Sequence, residues 1–80
     1  MRVELYTWSA CKHCETAREL LRQRGIAFEE RPLDQDRVLK QALARELGRA
    51  TMPYARIGDE LFGGVEEIAR RIGRGRSDDA

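Results

Sequence analysis

Val3 and Leu5 alternate with Arg2, Glu4 and Tyr6, a period of two that predicts a short strand running into the loop Thr7-Trp8-Ser9-Ala10. From Cys14 onward Ala17, Leu20 and Leu21 recur at helical spacing, and Gly25 followed by Ile26 reads as a left-handed cap with Ile26 folding back on Leu21. The first helix is thus predicted from Lys12 to Arg24. Ala27 to Arg31, carrying Phe28, predicts a second strand, after which Pro32 marks a turn and Asp34 a helix N-cap. Val38, Leu39, Ala42, Leu43 and Leu47 form the apolar stripe of a second helix that Gly48 stops. Beyond Pro53, Tyr54 to Ile57 and Glu60 to Phe62 flank Gly58-Asp59, the signature of an antiparallel hairpin. Val65, Ile68, Ala69 and Ile72 supply the i, i+3, i+4, i+7 face of a last helix.

Strand, helix, strand, helix is the pattern of a parallel sheet, and the hairpin adds an antiparallel pair, so an α/β class follows. Eighty residues close one core and leave too little apolar surface for another. A domain is expected over residues 1–72, followed by a disordered polar tail over 73–80, where no apolar period continues. Fifteen basic residues against fourteen acidic ones leave a formal charge of +1. No strong field therefore predicts nucleic acid or an anionic membrane as a partner. The apolar runs are short and the N-terminus enters directly into the alternating segment, so a soluble protein without a leader is expected.

The chain has two cysteines, Cys11 and Cys14. A bridge between them would close a loop too short to remove much unfolded-state entropy, so they are not a structural staple. A C-x-x-C in an otherwise cysteine-free chain suits redox work in a reducing cytoplasm. A thiolate is the species that attacks a disulfide, and Cys11 sits where a loop enters the first helix, facing unpaired backbone N–H groups and the positive end of the helix dipole, with Lys12 beside it. Cys14 lies one turn further in. That asymmetry predicts Cys11 as nucleophile and Cys14 as resolving thiol. As a zinc half-site the pair lacks a second pair of ligands, since His13 lies between the cysteines, and no metal is expected. His13 itself is either a solvent-facing residue at the helix start or a substrate contact.

A second informative stretch is Thr51-Met52-Pro53, where a proline opening a strand fits only a position that needs no ladder bond. A cis bond at Met52-Pro53 would turn the neighbouring backbone toward a ligand. Gly63-Gly64 before the last helix is either a plain hairpin exit or a place where backbone approaches an anion. Together, Cys11-Lys12-His13-Cys14 at a helix start, Thr51-Met52-Pro53 before a hairpin and Gly63-Gly64 before a terminal helix resemble the glutaredoxin family, from Arg2 to about Ile72.

The resemblance implies a thioredoxin fold, a four-stranded mixed sheet in the order β-α-β-α-β-β-α flanked by three helices, with the cysteines beside a cis-proline. It implies glutathione as co-substrate of an oxidoreductase that reduces protein disulfides and glutathione mixed disulfides as a monomer. Carried over residue by residue, Met52 beside Pro53 would pair with the cysteinyl part of glutathione, with Thr51 and His13 along the same groove. Lys40 matches the position used for the glycine carboxylate. Gly64 and Val65 would hold the γ-glutamyl carboxylate on free N–H groups, and Glu66 would face the ammonium.

Lys12 stands where the family commonly has proline, and His13 where it has an aromatic residue. The lost proline restores a backbone N–H and relaxes the loop. Some family members without it share a [2Fe-2S] cluster between two subunits, which leaves a cluster scaffold with Cys11 as ligand as an alternative. A glutaredoxin-like electron donor fed by thioredoxin reductase is another, and it would not need Lys40 or Glu66.

Overall fold

The computed structural model describes residues 2–77, with side chains for residues 2–73. The chain runs β1 (Val3–Thr7), α1 (Lys12–Gln23), β2 (Glu29–Pro32), α2 (Arg37–Leu47), β3 (Tyr54–Ile57), β4 (Glu60–Gly63) and α3 (Val65–Ser77). The strands form one sheet in the order β2-β1-β3-β4. β1 and β2 are parallel, while β1–β3 and β3–β4 are antiparallel. This is the α/β thioredoxin fold that the order of elements and the resemblance imply.

Alternation along β1 and β3 sorts the core onto the two faces of the sheet. Val3, Leu5, Ala55 and Ile57 pack with Ala17 and Leu21 of α1 and with Ile68 and Ile72 of α3. On the opposite face Tyr6, Tyr54 and Leu33 pack with Leu43 of α2. Each fully buried leucine or isoleucine here contributes about 1.5–3 kcal/mol. Among the described residues no helix is long and apolar enough to cross a membrane.

The helix ends follow local chemistry. At the end of α1, Gly25 takes φ +68°, its N–H donates to the Arg22 carbonyl at 3.0 Å, and the Ile26 N–H donates to the Leu21 carbonyl at 3.0 Å. These are the paired bonds of a glycine-terminated helix, and Ile26 joins the cluster containing Leu21 as the sequence suggests. Gly48 ends α2 with φ +92°.

Four expectations are corrected. The N-cap of α2 is Asp36, which accepts the Leu39 N–H at 3.0 Å, and not Asp34, whose carboxylate is taken by Ser9. With the helix in that phase Leu39, Leu43 and Leu47 point inward, whereas Ala42 is exposed and Val38 is 78% exposed, so both leave the predicted stripe. β2 begins at Glu29 instead of Ala27, because Glu29 is the residue opposite Glu4, and Phe28 packs on the core before the ladder starts. α3 continues to Ser77, past Ile72 where the tail was expected; residues 78–80 lie outside the described residues.

Candidate active site

β1 delivers the chain into the Trp8–Ala10 loop, and Cys11 is the N-cap of α1, with extended backbone at φ −143° and ψ 114°. Its sulfur accepts the Cys14 N–H at 3.2 Å, the place a serine or aspartate oxygen takes in an ordinary cap. Cys11 is partly exposed and Cys14 fully buried, and both are free thiols. The Trp8 N–H donates to the Cys14 sulfur at 3.3 Å. Burial, followed by the bond shared with Cys11, pushes the Cys14 thiol up to about 12. The two sulfurs differ in environment as their positions on the helix predict. One is partly exposed as the cap of the helix, and the other is buried with its thiol pushed up toward the protonated form.

The Met52-Pro53 peptide bond is cis, and Pro53 is fully buried. Around it the backbone closes on itself. The Pro53 carbonyl accepts the Gly64 N–H at 2.8 Å, and the Tyr54 hydroxyl accepts the Thr51 N–H at 3.2 Å while donating to the Arg49 carbonyl at 3.4 Å. A groove of about 410 Å³ opens between this segment and the first turn of α3, lined by His13, Thr51, Met52, Gly64, Val65 and Glu66 together with Arg49, Gly63, Glu67 and Arg70. Seven of the sequence-predicted residues therefore gather in one place, counting Pro53 behind the wall.

Lys40 is not among the residues that line that groove. Its ammonium sits 3.9 Å from the centroid of the Trp8 ring, a cation–π contact. Gly64 lines the groove, but its N–H is committed to Pro53, so an anion at this helix start meets the N–H groups from Val65 onward. Glu66 is exposed and has no hydrogen-bond or ion-pair partner among the described residues.

The sequence reading overlooks Arg49 and Glu67. Glu67 accepts the Gly63 N–H at 2.9 Å and one Arg49 nitrogen at 3.0 Å, and the same arginine nitrogen donates to the Gly63 carbonyl at 2.9 Å. The Gly63 N–H, and after it Arg49, hold the Glu67 carboxyl below its usual value. A glutamate three residues beyond Gly64, in the first turn of a helix, is the signal that would have pointed to it. Gly63 is glycine for lack of space: a Cβ there would lie 2.3 Å from Leu47 Cδ2 and 2.6 Å from Thr51 Cγ2. No group of three or more histidine, cysteine, aspartate or glutamate side chains is arranged to hold a metal among the described residues.

The family model described as Glutaredoxin matches residues 3–62. A probable glutaredoxin from Synechocystis is 36% identical over 78 residues, covering 96% of this chain and 89% of that protein. Among solved structures, glutaredoxin from Brucella melitensis is 28% identical with a TM-score of 0.81, covering 99% of this chain and 86% of that one. The glutaredoxin-like protein NrdH-redoxin from Escherichia coli, described for its thioredoxin-like activity profile, is also 28% identical, with a TM-score of 0.78 and coverage of 92% and 93%.

Proposed function

The chain belongs to the glutaredoxin family and is a thiol-disulfide oxidoreductase, and from that premise we propose that glutathione supplies its electrons. It reduces protein disulfides and glutathione mixed disulfides, as a monomer in the cytoplasm. The observation that carries this reading is the groove itself. It begins at His13, runs along Thr51 and Met52 beside the cis-proline, and ends at the α3 N-terminus with Glu66 and Arg70 exposed at its rim. A tripeptide with carboxylates at both ends and one ammonium is matched by such mixed charge. Met52 offers backbone to the cysteinyl unit, the N–H groups from Val65 onward face the γ-glutamyl carboxylate, and Glu66 faces the ammonium.

Cys11 is the nucleophile. Its thiolate attacks a substrate disulfide, one sulfur leaves with the electron pair, and a mixed disulfide remains on Cys11. Cys14, one turn deeper and protonated at rest, then displaces the second sulfur and closes the Cys11–Cys14 bond. One glutathione thiolate opens that bond to leave a mixed disulfide on Cys11 and a free Cys14 thiol, and a second displaces Cys11 and departs as glutathione disulfide, restoring both thiols. Glutathione mixed disulfides need only the first cysteine. Cys14→Ser is accordingly expected to keep most of the activity on glutathionylated substrates and lose protein-disulfide reduction, while Cys11→Ser loses both; identical behaviour of the two variants would overturn the assignment.

A second reading, electrons from thioredoxin reductase, is favoured by one feature: Lys40, expected to meet the glycine carboxylate, is engaged with the Trp8 ring and is not among the residues lining the groove. The likeness to a protein with a thioredoxin-like activity profile agrees with it. The deciding experiment is a coupled assay in which NADPH is consumed through either glutathione with its reductase or thioredoxin reductase alone. Turnover with glutathione only is expected. Turnover with thioredoxin reductase only would replace the first reading by the second.

A further inference from the structure

Behind the buried thiol lies a polar cluster that the groove does not use. Arg18 follows Cys14 by one helical turn, on the same face of α1. Its Nε donates to Glu30 Oε1 at 2.9 Å and its Nη2 to Oε2 at 2.6 Å, a two-pronged grip on the edge strand β2. The Thr7 hydroxyl donates to the same Glu30 Oε2 at 2.9 Å. Thr7 is 2% exposed and is the last residue of β1. The next residue, Trp8, gives its N–H to the Cys14 sulfur. Arg18, one turn along α1 from Cys14, is thus joined through Glu30 and Thr7 to the residue next to the one that bonds the Cys14 sulfur.

The Cys14 sulfur accepts the Trp8 N–H and lies beside the Cys11 sulfur, while Arg18, one turn along α1, is the cation whose charge favours the Cys14 thiolate, the smallest of the influences on it; Glu30 of β2 and Glu15 of α1 act on Arg18. Arg18 supplies the positive charge in this set. Cys14 otherwise lies among buried neighbours of the α1 face, such as Ala17 and Leu21. An unpaired negative charge in such a place is costly. Yet closing the intramolecular disulfide requires that this sulfur become negative.

We propose that Arg18, held in place by Glu30 and Thr7, is the positioning residue that stabilises the developing thiolate of Cys14 and so sets the rate at which a protein mixed disulfide on Cys11 is resolved. In that step Cys14 gives its proton to water and its sulfur bonds to the Cys11 sulfur. The bond between Cys11 and the substrate breaks, and the electron pair leaves on the substrate sulfur, which takes up a proton. Cys11 and Cys14 together lose two electrons, which the substrate gains. Glu30 plays two parts, fixing the guanidinium through two bonds while moderating its charge. The Arg18 side chain is 23% exposed, so solvent screens part of the effect.

The inference rests on Cys14 being the resolving thiol, and a double-mutant cycle keeps the two claims apart. Arg18→Met, Arg18→Lys, Cys14→Ser and the combined Arg18→Met/Cys14→Ser variant are compared in single-turnover reduction of a protein disulfide and of a glutathione mixed disulfide. Folding of each variant is checked by circular dichroism. Removing the charge lowers the thiolate fraction and partly compensates through nucleophilicity, so Arg18→Met is expected to slow protein-disulfide resolution about three- to tenfold. Arg18→Lys, which keeps the charge, recovers most of the rate. Reduction of the glutathione mixed disulfide, which needs only Cys11, is unchanged by Arg18→Met whether residue 14 is cysteine or serine. Equal slowing of the glutathione mixed-disulfide reaction by Arg18→Met, or equal loss in the lysine and methionine variants, would show a structural role only and overturn the proposal. If Cys14→Ser itself reduced protein disulfides at the wild-type rate, the resolving role of Cys14 would fall instead.

Discussion

On one side of the α1 N-terminus, the main chain of residues 49–53 is itself bonded, to the Tyr54 hydroxyl and the Gly64 N–H. The Pro53 carbonyl, the Thr51 N–H and the Arg49 carbonyl are all bonded, and Arg49 is locked to Gly63 and Glu67. On the other side, residues 8–10 are held by side chains reaching across from the β2–α2 turn and α2. Asp34 accepts both the N–H and the hydroxyl of Ser9 in the open, and Lys40 covers the Trp8 ring. The first arrangement half-buries its main-chain bonds and fixes one shape, which suits a groove for a small ligand. The second leaves its bonds in contact with solvent, where each contributes little and opens readily. One flank of the cysteines is thus a fixed wall, and the other an adjustable edge.

The wall is most directly broken at Gly63. Alanine there would bring its methyl against Leu47 Cδ2 and Thr51 Cγ2, and although the leucine tip can rotate, the β-branched threonine is stiff. Gly63→Ala is expected to destabilise the protein by about 1–3 kcal/mol and to raise the glutathione KM more than it lowers kcat, because Thr51 is displaced along the groove. Urea unfolding together with the glutathione dependence of the rate checks both parts. A variant with unchanged midpoint and unchanged KM would mean that the wall gives way without cost.

These two flanks also separate what could be read from the sequence from what could not. The Gly25 cap, the Gly58-Asp59 turn and the proline at 53 are signalled by residues within a few positions of the feature, and all three were legible. Asp34 and Asp36 are equally good caps on local grounds. What decides between them is Ser9, 25 residues earlier in the chain. Arg49 meets Glu67 across 18 residues, and Lys40 finds Trp8 only once α2 has docked on the sheet. Val38 borders the apolar stripe in sequence, and the phase set by the Asp36 cap turns it outward. The cysteine pair and the groove residues were legible through their spacing and the family resemblance, whereas the bonds that hold the groove lie between residues distant in sequence.

A smaller effect is expected at Glu67. Its carboxyl is held below the ordinary glutamate value first by the Gly63 N–H and then by Arg49. The contribution of the charged form is therefore complete above the unfolded-state value and is lost as pH falls through the lower folded one. Glu67→Gln keeps an acceptor for Gly63 and removes only the charge. The side chain is 33% exposed, so with allowance for screening the wild-type advantage is put at under about 1 kcal/mol near neutrality. Denaturant titrations of both proteins from neutral pH into the acid range should show that advantage shrinking below about pH 4.5. A constant difference across the range would assign the stability to the shape of the side chain and not to its charge.

The smallest effect belongs to the adjustable edge, and it separates the two flanks most cleanly. Asp34 is fully exposed, so Asp34→Ala should not move the unfolding midpoint measurably, although it removes the acceptor of the Ser9 N–H and hydroxyl. What it should change is local opening. Once Ser9 is released, the amides of Trp8 and Ser9 should exchange with solvent faster, while those of Thr51 and Gly64 in the wall keep the protection of their bonds to Tyr54 and Pro53. Because the Trp8 N–H is also a donor to the Cys14 sulfur, faster exchange at Trp8 should be accompanied by a small slowing of protein-disulfide resolution, with the glutathione KM unchanged. Native-state hydrogen exchange on the reduced protein makes the comparison. Equal acceleration on both flanks would show that the wall and the edge open together, and the contrast between them would then be one of appearance only.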